Sequence, residues 1–221
     1  MVEKVIEMGD CIIKLIDNTE EFFTAGENES IIYRLREIAA DSFGVEIEDK
    51  SLEGIRDHVI HVDVCALGYI NKVLIGFASV RILHELDILF VHGIAVLMDE
   101  QTKGAGSKLL KALIEHYTKN RLAFTTQNPV MYDVIKKFCR DVYPSLEQKV
   151  PEKIQGIGCK LMEGRRGVFN PRTFVSQNLY SCCLYDSIPL SKKPFVNEWF
   201  DRVLRIQNRI TSDGILLIGK L

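Results

Sequence analysis

No stretch of this chain approaches the ~20 apolar, uncharged residues that a helix needs to cross a bilayer, so nothing in it reads as a membrane span. The opening segment carries Glu3, Lys4, Glu7, Asp10, Lys14 and Asp17, which is unlike the apolar block of a secretion signal. A surplus of one charge is missing too. Lys and Arg number 28 against 30 Asp and Glu, for a net charge of −2, and the pI is near 6.2. That balance disfavours nucleic acid and gives no electrostatic reason to expect an anionic membrane as partner. The six cysteines, Cys11, Cys65, Cys139, Cys159, Cys182 and Cys183, lack a CxxC pair or a framework spacing. Reduced and mostly buried thiols are expected, with Cys182 and Cys183 on opposite faces of a strand. There is no repeat and no low-complexity tract. A cytoplasmic location follows as the expectation.

What is present suits a packed core: 221 residues, 47% of them hydrophobic. Asn18 and Glu21 have capping-box spacing for a first helix, which Gly26 interrupts before Ile31, Leu35 and Ile38 resume a helical stripe. Residues 41 to 57 read as loop and short helix. Three Val/Ile-rich segments, 59–70, 73–84 and 87–97, then read as a meander joined by tight turns. The third is apolar on both alternating sets, the mark of a strand covered on both sides. Leu109, Leu110, Leu113, Ile114 and Tyr117 give a helix ending near Asn120, Leu122–Thr126 a strand, and Asn128-Pro129 the start of another helix. Beyond Val142 the pattern is broken by prolines. It suggests helices near 152–162 and 195–207, a strand near 173–185, and a last strand, 215–218, after Asp213-Gly214. We read one domain over 1–221, with a core at 10–141 and an extension at 142–221 that completes the sheet and the acceptor pocket.

The informative stretch is Ile94 to Leu110, where an apolar strand runs into a short glycine loop and then a helix. Such a loop gathers backbone N–H groups at the positive end of a helix, where phosphate binds. Gly104 and Gly106 are expected to supply positive φ angles and close approach, and Lys103 a charge at the rim. GxxxxGK[ST] is absent, which argues against a P-loop nucleotidase. The third glycine of GxGxxG is replaced by Leu109, and the strand arrives from a meander rather than a parallel unit, which argues against a dinucleotide fold.

Gln101-Thr102-Lys103-Gly104-Ala105-Gly106 resembles the acetyl-CoA motif of the GCN5-related N-acetyltransferases (GNAT): Gln or Arg, two residues, Gly, one residue, then Gly or Ala. Ile94-Ala95-Val96 resembles the apolar-Ala-Val run before that motif, Gly76-Phe77-Ala78 the preceding strand, and Asn128 the asparagine that opens the family's second motif. The resemblance covers about residues 10–141 and implies an α/β GNAT-type acyl-CoA N-acyltransferase fold, a mixed, mainly antiparallel sheet flanked by helices. It also implies acetyl-CoA as co-substrate, no metal, and an amine acceptor, small molecule or protein, attacked in a ternary complex. Pantetheine would lie where the strand carrying 94–96 splays from its neighbour. Amides of 101–106 would hold the pyrophosphate, and an N–H near Ile94–Val96 would polarise the thioester carbonyl.

For acid–base work, His92 lies two residues before Ile94, a position similar to that of a histidine in the arylalkylamine branch, and an imidazole titrates near ~6.5. A histidine satisfied inside the sheet is the alternative. The family often has a tyrosine seven residues after the motif asparagine, and here that place holds Ile135. Tyr132 is one turn earlier and is the candidate acid, against packing as its alternative; Tyr143 is a weaker one. His58 and His61 with Asp57 and Asp63 lack metal spacing and read as a surface junction. Glu85 or Asp87 could act through water, and His116 sits on a polar helix side. The acidic run Asp41, Glu46, Glu48, Asp49, Glu53, Asp57 and Asp63 would favour a cationic amine if it lines the acceptor cleft, and is otherwise a solvated loop. Gly164-Arg165-Arg166-Gly167 would be a basic contact or simply exposed. A homodimer contact is left open, and a non-catalytic acyl-CoA-binding sensor or assembly module is the alternative function.

Overall fold

The computed structural model describes residues 3–47, 49–206 and 210–221. The chain gathers into two compact units: residues up to Leu83 together with Leu89–Lys119, and His84–Ile88 together with Asn120–Leu221.

In the first unit, β1 (Glu3–Met8) and β2 (Cys11–Ile16) form a hairpin that the sequence reading had not assigned. Its signal is Gly9-Asp10 between two short alternating runs, and Gly9 takes the left-handed φ of 67° that this turn requires. Asn18 caps α1 (Thr19–Thr24), its side chain accepting from the Glu21 amide at 3.4 Å. α2 (Glu29–Phe43) buries Ile32, Leu35 and Ile38 and stops at Gly44, with φ 68°. α3 (Asp49–Val59) follows.

The expected meander is present as β3 (Val64–Ile70), β4 (Val73–Leu83) and β5 (Ile88–Val96). Strand order in this unit is β1-β2-β3-β4-β5, and β1 to β4 pair antiparallel. Asn71 and Lys72, at φ 49° and 65°, make the two-residue turn between β3 and β4. The first segment starts later than its apolar run suggested. Val59 ends α3, and Thr19 Oγ1 donates to the carbonyls of Ile60 and Val62 at 2.7 and 2.6 Å, so residues 60–63 are a link in which Ile60 and Val62 are buried and His61 and Asp63 exposed. Burial alone cannot tell such a link from a strand. The core joins Phe23, Ile32, Leu35 and Ile38 to Val59, Leu67 and Phe77. After β5 come α4 (Met98–Gln101) and α5 (Ala105–His116), the latter burying Leu109, Leu110 and Leu113.

The second unit holds β6 (Arg121–Thr126), α6 (Pro129–Phe138), β7 (Asp141–Tyr143), α7 (Glu152–Met162), β8 (Val168–Asn170), β9 (Val175–Gln177), α8 (Pro194–Val203) and β10 (Gly214–Lys220). Strand order is β6-β10-β9-β8, with β7 also on β10 and every pair antiparallel. The C-terminal extension therefore supplies a central strand here: Ile215, Leu216 and Leu217 are fully buried.

The strand expected over 173–185 is only Val175–Gln177. Beyond it the backbone bonds elsewhere, Tyr180 N to the Ser212 carbonyl and Leu184 N to the Gln127 side chain. The strand-alternation argument therefore does not apply to the vicinal cysteines, and Cys182 is exposed, as is Cys159. Cys11, Cys65 and Cys139 are buried, and burial pushes the Cys139 thiol up to about 12. The helix expected over 195–207 ends at Val203, and residue 207 lies outside the described residues. Among the described residues, no helix is long and apolar enough to cross a membrane.

Candidate functional site

β5 should be buried throughout, given its composition, yet it is not. Ile88–Val91 and Ala95–Val96 are buried, whereas His92, Gly93 and Ile94 between them are half-exposed. The strand is uncovered in the middle, beside the run that the motif reading singled out.

The loop that follows is held by specific bonds. Leu97 N donates to the Ile75 carbonyl at 2.9 Å and Met98 N to the Asp41 carboxylate at 2.6 Å. Gln101 Nε2 donates to the Val96 carbonyl at 3.1 Å and to the Ser42 hydroxyl and carbonyl at 3.2 and 3.3 Å. Its side chain thus ties the loop to β5 and α2. Gly104 takes φ 84° and α5 begins at the next residue. The first bond into that helix runs from Lys108 N to the Gly104 carbonyl at 3.0 Å. The amides of 105–107 therefore form the leading turn, where the helix dipole is positive.

Gly106 does not need a positive φ, contrary to expectation: it lies inside α5. A Cβ there would come no nearer than 3.7 Å to Ile94 or Val96, ordinary contact distance. Of the remaining loop residues, Thr102 and Lys103 are exposed, Lys103 pairing with Glu100 at 2.9 Å, and Ala105 is buried. Glu100 holds the Lys103 ammonium above its usual range. A cavity of about 430 Å³ beside Leu97–Glu100 counts Asp41, Asp99 and Glu100 among its lining residues. Its acidic lining is unsuited to phosphate.

His92 is not alone. Its ring stacks on that of His58 from α3, with centroids 4.9 Å apart and planes within 14°. His58 Nδ1 lies 2.7 Å from the Gly54 carbonyl oxygen, and Ser79 Oγ donates to the Gly93 carbonyl at 3.5 Å. By sequence alone His58 reads as part of a surface junction. Its only sequence signal is the i to i+4 spacing from Gly54 on a helix.

The other motif residues belong to the second unit. Asn128 caps α6, its Oδ1 accepting from Val130 N at 2.9 Å, and its Nδ2 donates to the Tyr185 hydroxyl at 3.4 Å. Tyr185 was not foreseen, since no motif reaches the extension. It is placed by Gln127, whose Oε1 accepts from Leu184 N at 2.9 Å while Nε2 donates to the carbonyls of Thr211 and Asp213 at 2.6 and 3.1 Å. Tyr132 is 3% exposed, its ring 5.7 Å from Trp199, and burial raises its hydroxyl despite a bond to the Leu146 backbone. That setting is the packing alternative. Ile135 is fully buried, and a Cβ on Gly219 would approach its side chain to 3.1 Å.

Several of the remaining candidates have structural partners. The His61 carbonyl accepts from Arg81 at 3.1 and 3.3 Å, and His116 Nδ1 accepts from Lys4 at 2.9 Å. Asp63 accepts from Ile82 N at 2.6 Å, so two members of the acidic run, Asp41 and Asp63, pin backbone; Glu48 lies outside the described residues. Asn120 donates to the Asp87 carboxylate. Arg165 Nε donates to the Leu161 carbonyl at 3.1 Å. Among the described residues, no group of three or more His, Cys, Asp or Glu converges to hold a metal.

Residues 32–138 match the family described as the acetyltransferase (GNAT) family. Among solved structures, the chain is similar to a GNAT family acetyltransferase from Elizabethkingia anophelis with acetyl-CoA bound, at 15% identity over 97% of this chain and 100% of that one, TM-score 0.48. It is also similar to the ribosomal-protein-S18-alanine N-acetyltransferase of Escherichia coli, at 12% identity over 86% and 88%, TM-score 0.49. A third is an IAA acetyltransferase from Bacillus cereus, at 16% over 96% and 99%, TM-score 0.47. No curated protein matches.

Proposed function

Since the chain, over residues 32–138, belongs to the acetyltransferase (GNAT) family, we propose that it transfers the acetyl group of acetyl-CoA to an amine by direct attack in a ternary complex. The observation that carries this reading is β5, uncovered at His92–Ile94 and leading through a braced loop into the N-terminus of α5. Amides of the leading turn of α5 hold pyrophosphate, which needs convergent N–H donors and a positive dipole end. The polar groups of β5 around Ile94–Val96 take pantetheine as a further strand would, and one N–H there polarises the thioester carbonyl. Gln101 acts on this site through the backbone, since its amide is spent on Val96 and Ser42.

Holding amine and thioester together replaces a bimolecular encounter by an effectively intramolecular one. His92 stands two residues from Ile94, in the stacked imidazole pair with His58 that removes a proton from the incoming ammonium. The thiolate leaves without help from Tyr132, whose hydroxyl is buried and turned to backbone. The test is incubation with acetyl-CoA and a panel of amines (tyramine, spermidine, an alanine-terminated peptide), with the acetylated amine followed by mass. Acetylation of one of them above the enzyme-free rate is expected, and absence of transfer to all of them contradicts the reading.

A further inference from the structure

We infer that His58, which lies outside the loop motif, is a catalytic base of this reaction, accepting the ammonium proton beside His92 as one of a stacked pair. The inference rests on the acetyl-transfer reading above. A carbonyl oxygen has no hydrogen to give, so the 2.7 Å contact to the Gly54 carbonyl makes Nδ1 the N–H atom of His58. In the neutral ring the lone pair then sits on Nε2. Fixing one nitrogen by a backbone bond leaves the other as a defined proton acceptor, as in other histidine bases.

The ring is also in the right place. A Cβ built on Gly93 would lie 3.0 Å from His58 Cδ2 and 3.3 Å from Ser79 Oγ. Only the bare backbone at 93 lets the imidazole edge rest on the uncovered part of β5, one residue from Ile94. Cδ2 is bonded to Nε2, so the accepting atom is one bond from that contact. His58 is exposed, and a proton taken up there can pass to water. His92 stacks beside it, ring centroids 4.9 Å apart, so the two imidazoles form one polar face at this part of the strand. Ser79 contributes a hydroxyl from β4. Along α3 the neighbouring charges are Asp57 and Arg56, the latter paired with Glu29 at 3.5 Å.

The protons balance. The ammonium gives one to His58 Nε2, and the nitrogen lone pair attacks the thioester carbon. Collapse of the adduct breaks the C–S bond and sends the electron pair to sulfur. The second nitrogen proton neutralises the thiolate, and His58 returns the first to solvent, so amide, free thiol and one proton result.

The test uses the best acceptor of the panel named above, with His58→Gln, Gly93→Ala and the wild type compared between pH 7 and pH 9.5. His58→Gln should lose about a hundredfold in kcat/KM at pH 7, the usual scale of a base, with KM for acetyl-CoA and melting temperature unchanged. The deficit should narrow toward pH 9.5, where solvent itself deprotonates the amine; a packing defect would not be relieved that way. Gly93→Ala keeps the imidazole but displaces it, and an intermediate loss is expected. A His58→Gln enzyme within about threefold of wild type, or a deficit constant with pH, overturns the role while acetyl transfer stands. A wild type inert to the whole panel overturns both.

Discussion

At the scale of single residues, the chemistry depends on which polar atoms are already committed. Gln101 and Asn128 carry the motif, yet both side chains are occupied: one braces the loop, the other caps α6 and meets Tyr185. Asn128→Ala should therefore cost about 1 kcal/mol in denaturant unfolding, the scale of a lost N-cap. Tyr132 offers a sharper contrast. With its ring against Trp199 and its hydroxyl buried, Tyr132→Phe should leave kcat within about twofold, and a fall of a hundredfold would return the acid role to it. The motif residues were legible because loop chemistry is local. His58 and Tyr185 were not, since each is brought to its neighbour by a fold contact that no spacing encodes, α3 over Gly93 and Gln127 on Leu184.

Among elements, the link from β5 to α5 decides the site. Gly104, at φ 84°, turns the chain so that α5 starts at Ala105. Gly104→Ala should destabilise by roughly 1–2 kcal/mol, the cost of a left-handed conformation for a residue with a Cβ. It should also weaken acetyl-CoA binding, which a thermal melt with and without the ligand would register. The meander, α5, β6 and α6 follow from apolar periodicity and caps, and all were readable. Elements whose burial is set by partners were harder. The β1–β2 hairpin is short, and Ile60 and Val62 alternate with exposed His61 and Asp63 as a strand would, yet their carbonyls accept from the Thr19 hydroxyl. The run around Tyr180 to Tyr185 has strand-like composition, but its amides go to Ser212 and Gln127 instead of a ladder.

For the molecule as a whole, two consequences reach beyond one element. Burial pushes the Tyr180 hydroxyl up to about 12 from its ordinary 10, and its O–H donates to Thr125 at 3.1 Å. The folded state thus favours the protonated phenol, a contribution complete below pH ~10 and lost as pH rises toward 12. At ~1.4 kcal/mol per unit it amounts to no more than about 3 kcal/mol. Urea unfolding should show stability falling across that window, and less steeply in Tyr180→Phe; equal slopes would contradict the burial assigned to this hydroxyl. The second consequence is the central claim, that the loop from Leu97 to Gly106 holds acetyl-CoA. A Cβ at Gly106 comes no nearer than 3.7 Å to Ile94 and Val96, so Gly106→Val should keep its melting temperature while adding bulk at the leading turn of α5, beside the amides proposed to hold phosphate. Calorimetric titration of acetyl-CoA into both proteins is the direct measurement. Binding by the wild type, weakened at least tenfold in a variant of unchanged melting temperature, is what the account predicts. No binding by the wild type, or equal binding by both, would contradict it.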